Sequence, residues 1–343
     1  MDELLSYRDP ILKTLRELKI EYKERFKLHP WSSDVLERVF DFSEKGKLLR
    51  GALVIFSART QGVEINNDIL RTAAAMELIH SSLLIHDDIM DKDTWRRGNR
   101  SVYSAYEQLA IEKDLYNPAH LGVSMGVGVG DITFFLVFEI ISGLESPSKD
   151  TLIKIFSHEL IQVGFGQLDD LWPLSISKER ILELYKYKTG RYSFSLPMMM
   201  GAILAGTEKT DLEPYIHFGE SMGPLFQIAD DLLGIYGSQE EIGKPVGSDI
   251  RDGKQTLYWY LLMEKATNEE KLQLLSFFGK EANAYDISVV INLIEKHGID
   301  KELLLIVDML KSKANMTIAT LPIDPDSQAI LRTLVTYVTT RSK

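Results

Sequence analysis

Leu70-Arg71-Thr72-Ala73-Ala74-Ala75-Met76-Glu77-Leu78-Ile79-His80-Ser81-Ser82-Leu83-Leu84-Ile85-His86-Asp87-Asp88-Ile89-Met90-Asp91 is the stretch that decides the fold. Leu70, Ala73, Ala74, Met76, Leu78 and Ile79 recur at helical spacing, and the apolar run continues until acids stop it at Asp87. The same period recurs on both sides. Leu4, Ile11, Leu15 and Leu18 carry it near the start, Ile181, Leu182 and Tyr185 in the middle, and Leu303 to Met309 towards the end. Val289, Val290 and Ile291 are β-branched, but Leu293 and Ile294 extend them at helical spacing. No long alternating run and no Asn-Gly hairpin signal appears. Breaks near Pro30, Asn66-Asn67, Asn117-Pro118, Ser146-Pro147, Pro173, Gly237 to Gly247 and Pro322 to Pro325 are spread evenly, with no long linker. The pattern predicts an all-α chain forming a single helical domain over residues 1–343.

Composition narrows the function. The 343 residues hold 39 Lys and Arg against 50 Asp and Glu, a net charge of 39 − 50 = −11. Such an excess of acids argues against a nucleic-acid partner. There is no cysteine, which removes disulfides, thiolate metal sites and cysteine nucleophiles, and fits a reducing compartment. Met1 to Pro10 carries Asp2, Glu3 and Asp9 and has no apolar signal core. Leu121 to Ser142 is the most apolar stretch, yet it holds Asp131 and Glu139 and four glycines, so a buried helix is expected rather than a membrane span. A soluble, cytoplasmic protein follows as the expectation.

Chemistry concentrates at two acidic helix ends. Asp87 and Asp91 are four apart and share one helix face, about 6 Å apart at Cβ. Two carboxylates so placed repel unless a cation lies between them, and Mg²⁺ usually combines one or two carboxylates with substrate phosphates. A solvated acidic helix end is the plain alternative. Against it, the motif closes an apolar helix and is followed by Arg96-Arg97-Gly98, a pairing suited to phosphate oxygens. Phe226-Gln227-Ile228-Ala229-Asp230-Asp231 repeats the logic. Gly234 stands four after Asp230, so only Asp230 is well placed for a metal, with Asp231 beside it. The loop Gly243-Lys244-Pro245-Val246-Gly247-Ser248-Asp249 through Lys254 adds Lys244 and Lys254 as point charges for a phosphate. Gly46-Lys47-Leu48-Leu49-Arg50 puts two cations three apart, and Lys188-Thr189-Gly190 is placed at the end of a helix. His80 shares a face with Leu83, Leu84 and Asp87, where a core histidine is the plain alternative. Gly126, Gly128 and Gly130 follow no strand, so a dinucleotide loop is not expected. The tryptophans and Met198-Met199-Met200 read as packing.

Taken in order, these motifs resemble the trans-type polyprenyl (isoprenyl) diphosphate synthases, over roughly residues 40 to 260. Gly46-Lys47-Leu48-Leu49-Arg50 is similar to the family's GKxxR. Glu77-Leu78-Ile79-His80, His86-Asp87-Asp88-Ile89-Met90-Asp91 and Arg96-Arg97-Gly98 are similar to its first aspartate-rich region. Gly166-Gln167 with Asp170, Lys188-Thr189, Phe226-Gln227 with Asp230-Asp231, and the Gly243 to Asp249 loop are similar to the later motifs.

The resemblance implies an isoprenoid synthase fold, with about ten antiparallel core helices around a central cavity, in a homodimer. It implies a magnesium enzyme with three Mg²⁺ ions, held by Asp87, Asp91 and Asp230 and supported by Asp88 and Asp231. The allylic diphosphate would be held through these ions and by Arg96, Lys188 and Lys244. Isopentenyl diphosphate would be held without metal by Lys47, Arg50, His80 and Arg97. Thr189 and Gln227 would line the reacting centre. Metals and arginines stabilise the departing diphosphate as the allylic C–O bond ionises, the double bond of isopentenyl diphosphate attacks, and a proton leaves C2. The resemblance further places the growing chain beside the helix that ends at Asp87. There Ser82 and Leu83 stand where short-chain members carry a bulky aromatic floor, with Ile79 a turn deeper. Small Ser82 implies a product of C20, geranylgeranyl diphosphate, or longer.

Gly234, Gly51 and Arg100 depart from the family pattern, Gly234 in the manner of a DDxxG subgroup, and Gly130-Asp131 matches its GD loosely. A terpene cyclase would need only one diphosphate site and leave Lys47, Arg50, His80 and Arg97 without a shared purpose. A non-catalytic subunit of a heteromeric synthase is the other alternative, supported by Gly234 alone.

Overall fold

The computed structural model describes residues 1–237, 247–280 and 282–340. The chain is helical almost throughout. In order run α1 (Asp2–Ser6), α2 (Arg8–Arg25), α3 (Ser32–Glu44), α4 (Leu49–Thr60) and α5 (Asn67–Met90). A two-residue ribbon, β1 (Trp95–Arg96) with β2 (Asn99–Arg100), separates these from α6 (Val102–Glu112), α7 (Pro118–Ser142) and α8 (Lys149–Leu171). Next come α9 (Lys178–Tyr185), a π-helical stretch (Lys186–Ser195), α10 (Leu196–Leu204) and α11 (Glu213–Tyr236). The last third holds α12 (Ser248–Arg251), α13 (Leu257–Lys265), α14 (Asn268–Phe277), α15 (Ala284–Lys296), α16 (Ile299–Thr320) and α17 (Pro325–Thr340).

The chain divides into two compact units. One comprises residues 2–155 and 197–209, the other residues 156–196 and those from 210 onward, with Met1. In the first, α5 is the central helix. Ala73, Ala74, Ala75, Met76, Leu78, Ile79 and Ile85 are fully buried on several faces, as expected of a helix covered by neighbours all round. It packs against α2, α3, α4 and α7. Asn66 starts it, its side chain accepting from the Ile69 amide at 3.0 Å. In the second unit α11 is central, packed by the π-helical stretch, α16 and α17. The region beyond residue 265 carries no motif, yet α16 and α17 clamp the helix that bears Asp230.

Two expectations need revision. Lys188-Thr189-Gly190 does not end a helix; it lies inside one helical run of which the middle is π-helical. Pro197 gives the physical reason, since it cannot donate to the carbonyl four residues back and crowds it, widening the preceding turn. Among the described residues, α7 is long and apolar enough to cross a membrane, and 39% of its most apolar window is buried. Core helices pass the same test, and its two acids are both engaged in the first unit, Glu139 with Arg25 at 2.5 Å and Asp131 with His86 at 3.4 Å. Its exposed face carries Val127, Ile132 and Phe135, so it is less buried than the sequence suggests.

Candidate active site

In the first unit the acids sit at the C-terminal end of α5, where the helix dipole is already negative and further carboxylates are disfavoured without cations. Asp88 points inward and is fully buried. Its Oδ1 accepts from Arg96 Nε at 2.6 Å, and its Oδ2 has no hydrogen-bond partner. The same guanidinium reaches Asp93 Oδ2 at 3.1 Å and Asp87 Oδ2 at 3.5 Å. Burial pushes the Asp88 carboxyl up to about 7, against the opposing pull of Arg96. Asp88 is thus an anchor that sets the direction of Arg96, and Asp93, which sequence reasoning missed, is its second anchor. Asp87 is half-buried and Asp91 buried at the helix end.

A cationic group lies one step back along the same helix. His80 is two turns before Asp87, about 10 Å along the axis. Burial, then the guanidinium groups of Arg50, Arg97 and Arg96, hold its imidazole well below the usual range, so it is neutral and the three arginines are its neighbours. Arg97 donates to the Phe42 carbonyl at 2.7 Å and lies 4.9 Å from the Phe42 ring centre. Gly46 of the GKLLR segment lies against the same guanidinium: a Cβ there would stand 3.2 Å from Arg97 Nη2. Leu48 and Arg97 both hold left-handed backbone, at φ 55° and 54°, strained for such residues and placed where the cations are aimed. Lys47 is exposed. Gly51, which departs from the family's proline, donates its amide to Glu77 Oε1 at 2.7 Å, a bond proline could not make. Burial raises the Glu77 carboxyl while Arg50 pulls the other way. Ser82 and Ile79 are fully buried, Ser82 donating to the Gly130 carbonyl of α7 at 2.8 Å, and Leu83 is half-buried.

The second unit brings together Lys188, Thr189, Gln227, Asp230 and Asp231. The Thr189 hydroxyl donates to Gln227 Oε1 at 2.8 Å, and Gln227 Nε2 donates to Asp231 Oδ1 at 2.9 Å. Tyr185 donates to Asp231 Oδ2. Burial and the Asp231 carboxylate push the Tyr185 phenol far above its usual range, so it stays protonated. Asp231 is 5% exposed and committed to these partners, whereas its neighbour Asp230 is exposed. Lys188 pairs with Asp170 of α8. Gly166 permits that approach, because a Cβ there would sit 3.1 Å from the Lys188 amide. At Gly234 a Cβ would stand 3.4 Å from Asp249 Oδ2, so a carboxylate from the next segment stands beside the place left by the missing acid. Lys254 is half-buried on the turn after α12. Lys244 lies outside the described residues.

Among the described residues no cluster of three or more His, Asp or Glu side chains is gathered as a closed metal cage. The donors are nonetheless suited to Mg²⁺. They are carboxylate oxygens, few in number; Asp87 and Asp91 stand at a helix end that favours positive charge, whereas Asp230, expected at a helix end, lies more than a turn inside α11, and Mg²⁺ commonly completes its shell with water and substrate phosphate.

Fold and site define an all-helical class with one aspartate-rich helix in each unit and a cationic group beside the first. Comparison with known proteins gives the family. The polyprenyl synthetase family model matches residues 29–294. Geranylgeranyl diphosphate synthase of Saccharolobus solfataricus is 30% identical over 307 residues, 87% of this chain and 86% of that protein. The enzyme of the same name from Sulfolobus acidocaldarius is 30% identical over 267 residues, 76% of each. A crystal structure of geranylgeranyl pyrophosphate synthase from Corynebacterium glutamicum, complexed with isoprenyl diphosphate and magnesium, superposes with a TM-score of 0.88 at 26% identity, covering 97% of this chain and 99% of that one. The chain belongs to the polyprenyl synthetase family and has the isoprenoid synthase fold.

Proposed function

We propose that the protein is a prenyltransferase that condenses isopentenyl diphosphate, head to tail and 1′-4, with an allylic diphosphate. The product is an all-trans polyprenyl diphosphate of C20 or longer. One observation carries the reading: a single helix, α5, presents an acidic end for a metal-bound diphosphate and, two turns earlier, a neutral His80 among three arginines for a diphosphate bound without metal.

Asp87, Asp91 and Asp230 would hold Mg²⁺, three ions in all, whose positive charge favours loss of the allylic diphosphate. Arg96, aimed by Asp88 and Asp93, binds that diphosphate with Lys188, Lys244 and Lys254. Lys47, Arg50, His80 and Arg97 hold isopentenyl diphosphate, the neutral imidazole as a hydrogen-bond partner and the arginines as charge. Thr189 and Gln227 stand at the reacting carbons, and the apolar faces of α5 keep water from the allylic cation. The departing diphosphate takes the proton from C2, so no protein base is required. On α8, Ile161, Phe165 and Leu168 lie exposed at helical spacing. We assign this stripe to a second copy of the chain, a homodimer in the cytoplasm, and a monomeric mass in solution would remove that assignment.

The test incubates the protein with Mg²⁺, labelled isopentenyl diphosphate and each of the C5, C10 and C15 allylic primers, then separates the dephosphorylated products. A C20 or longer product is expected. A dominant C15 product sinks the chain-length argument. No incorporation with any primer favours the subunit alternative, and hydrocarbon from a longer allylic diphosphate alone favours a cyclase. Ser82→Phe should shorten the product, because the ring must occupy space between α5 and α7; an unchanged distribution puts the floor elsewhere.

A further inference from the structure

Thr189 is held by a relay that begins outside every motif. Tyr185, the last residue of α9, is buried. Its oxygen accepts the Leu257 amide at 3.0 Å, which satisfies an otherwise unpaired N–H at the first turn of α13. Its hydrogen goes to Asp231 Oδ2. The other oxygen of Asp231 accepts Gln227 Nε2 at 2.9 Å, and Gln227 Oε1 accepts the Thr189 hydroxyl at 2.8 Å. Each bond dictates the next. Gln227 turns its NH₂ towards Asp231 and its carbonyl towards Thr189. The Thr189 hydrogen is then committed, and its lone pairs are what it can offer to anything else.

We propose that Tyr185 is a positioning residue for the prenyl transfer: it fixes Asp231 and, through Asp231 and Gln227, the direction in which Thr189 presents its oxygen. The role rests on the reading above that Thr189 and Gln227 line the reacting centre. It also gives Asp231 a task distinct from that of Asp230, holding the polar relay while its neighbour faces solvent.

The experiment is a double-mutant cycle with the full-length protein, using Tyr185→Phe, Asp231→Asn and the pair, with kcat and both KM values measured. Tyr185→Phe removes the buried hydrogen bond to Asp231, and a fall in kcat of about tenfold is expected, with each KM within about twofold. In the Asp231→Asn background the same change should alter kcat by less than about twofold, because the relay is already broken. Effects that multiply, or an unchanged kcat in Tyr185→Phe, overturn the role. If Tyr185→Phe alone does not fold, the double variant, in which position 231 can no longer carry a charge, is compared with Asp231→Asn: equal kcat supports the role, and a further tenfold fall overturns it. An inactive wild-type protein sinks the synthase reading and this role with it. An active wild type with an indifferent Tyr185→Phe sinks only the role.

Discussion

Arg96→Met is expected to lower the unfolding free energy by about 3–5 kcal/mol and activity by about 100-fold or more. The substitution keeps the stem and removes the fork. Asp88 is fully buried, Asp93 nearly so, and both lean on this guanidinium, with Asp87 at its edge. Without that partner Asp88, already pushed up to about 7, must either keep an uncompensated buried charge or take up a proton, and Asp93 loses the same guanidinium. Asp88 already has one oxygen without a partner, so it has nothing in reserve. Urea unfolding checks the first number as a lower midpoint at unchanged slope. Arg96→Lys separates the two effects: it restores a charge but not the fork, so stability should recover more than activity. A midpoint equivalent to less than about 1 kcal/mol in Arg96→Met would show that Asp88 is neutral and self-sufficient there, and the anchoring argument would fall.

The second large effect is on the fold. Gly219→Val should cost about 4 kcal/mol or more, enough to leave little soluble protein. Gly190, Gly219 and Gly223 bring α11 and the π-helical stretch together backbone to backbone. A Cβ on Gly219 would lie 2.4 Å from the Ser195 amide nitrogen, and one on Gly223 2.6 Å from the Tyr185 carbonyl oxygen. Neither neighbour is a side chain that can swing away. The same contact carries Lys188 and Thr189 on one side and Gln227 and Asp230 on the other, so whatever protein folds should also be poorly active. Gly128→Ala is the contrast. Nothing lies within 4 Å of its Cβ position, and replacing a helical glycine should raise stability by up to about 1 kcal/mol. Thermal or urea midpoints of the two variants, measured side by side, decide it; similar values for both would mean that the close approach is not rigid.

Much of the molecule is legible in its residues. The apolar period from Leu70 to Asp87 and the acids that end it specify a buried helix with a charged terminus, and α5 is that helix. Asn66, Asn117-Pro118 and Pro325 mark element starts because caps and prolines act locally. Less legible are features created by distant segments. Asp87, Asp88 and Asp91 are alike on paper; only the position of Arg96 shows that Asp88 is an inward anchor. Asp93 follows a left-handed Lys92 and has no motif of its own. Tyr185 appears as one more apolar helix position until the Leu257 amide and Asp231 close on it. Arg191, which reaches Glu159 at 2.6 Å and Glu220 at 2.8 Å, depends on three helices meeting. The small ribbon at Trp95 to Arg100 is too short for any period to declare. Gly51 reads as a lost proline, but in the fold it is a gained donor to Glu77.

The π-helical stretch at Lys186–Ser195 has a consequence for what can change there. A wide turn is how a helix absorbs one inserted residue without breaking. Removing a single residue would let the stretch relax towards α geometry while the helix on either side kept its phase, so the change would fall inside the stretch. Lys188 and Thr189, inside the stretch, would then be displaced around the axis from Asp170 and Gln227, their present partners. A side chain such as Lys186 can be exchanged, but the number of residues between Lys186 and Ser195 cannot be changed. The count of residues in that segment is as much a part of the site as Lys188 or Thr189.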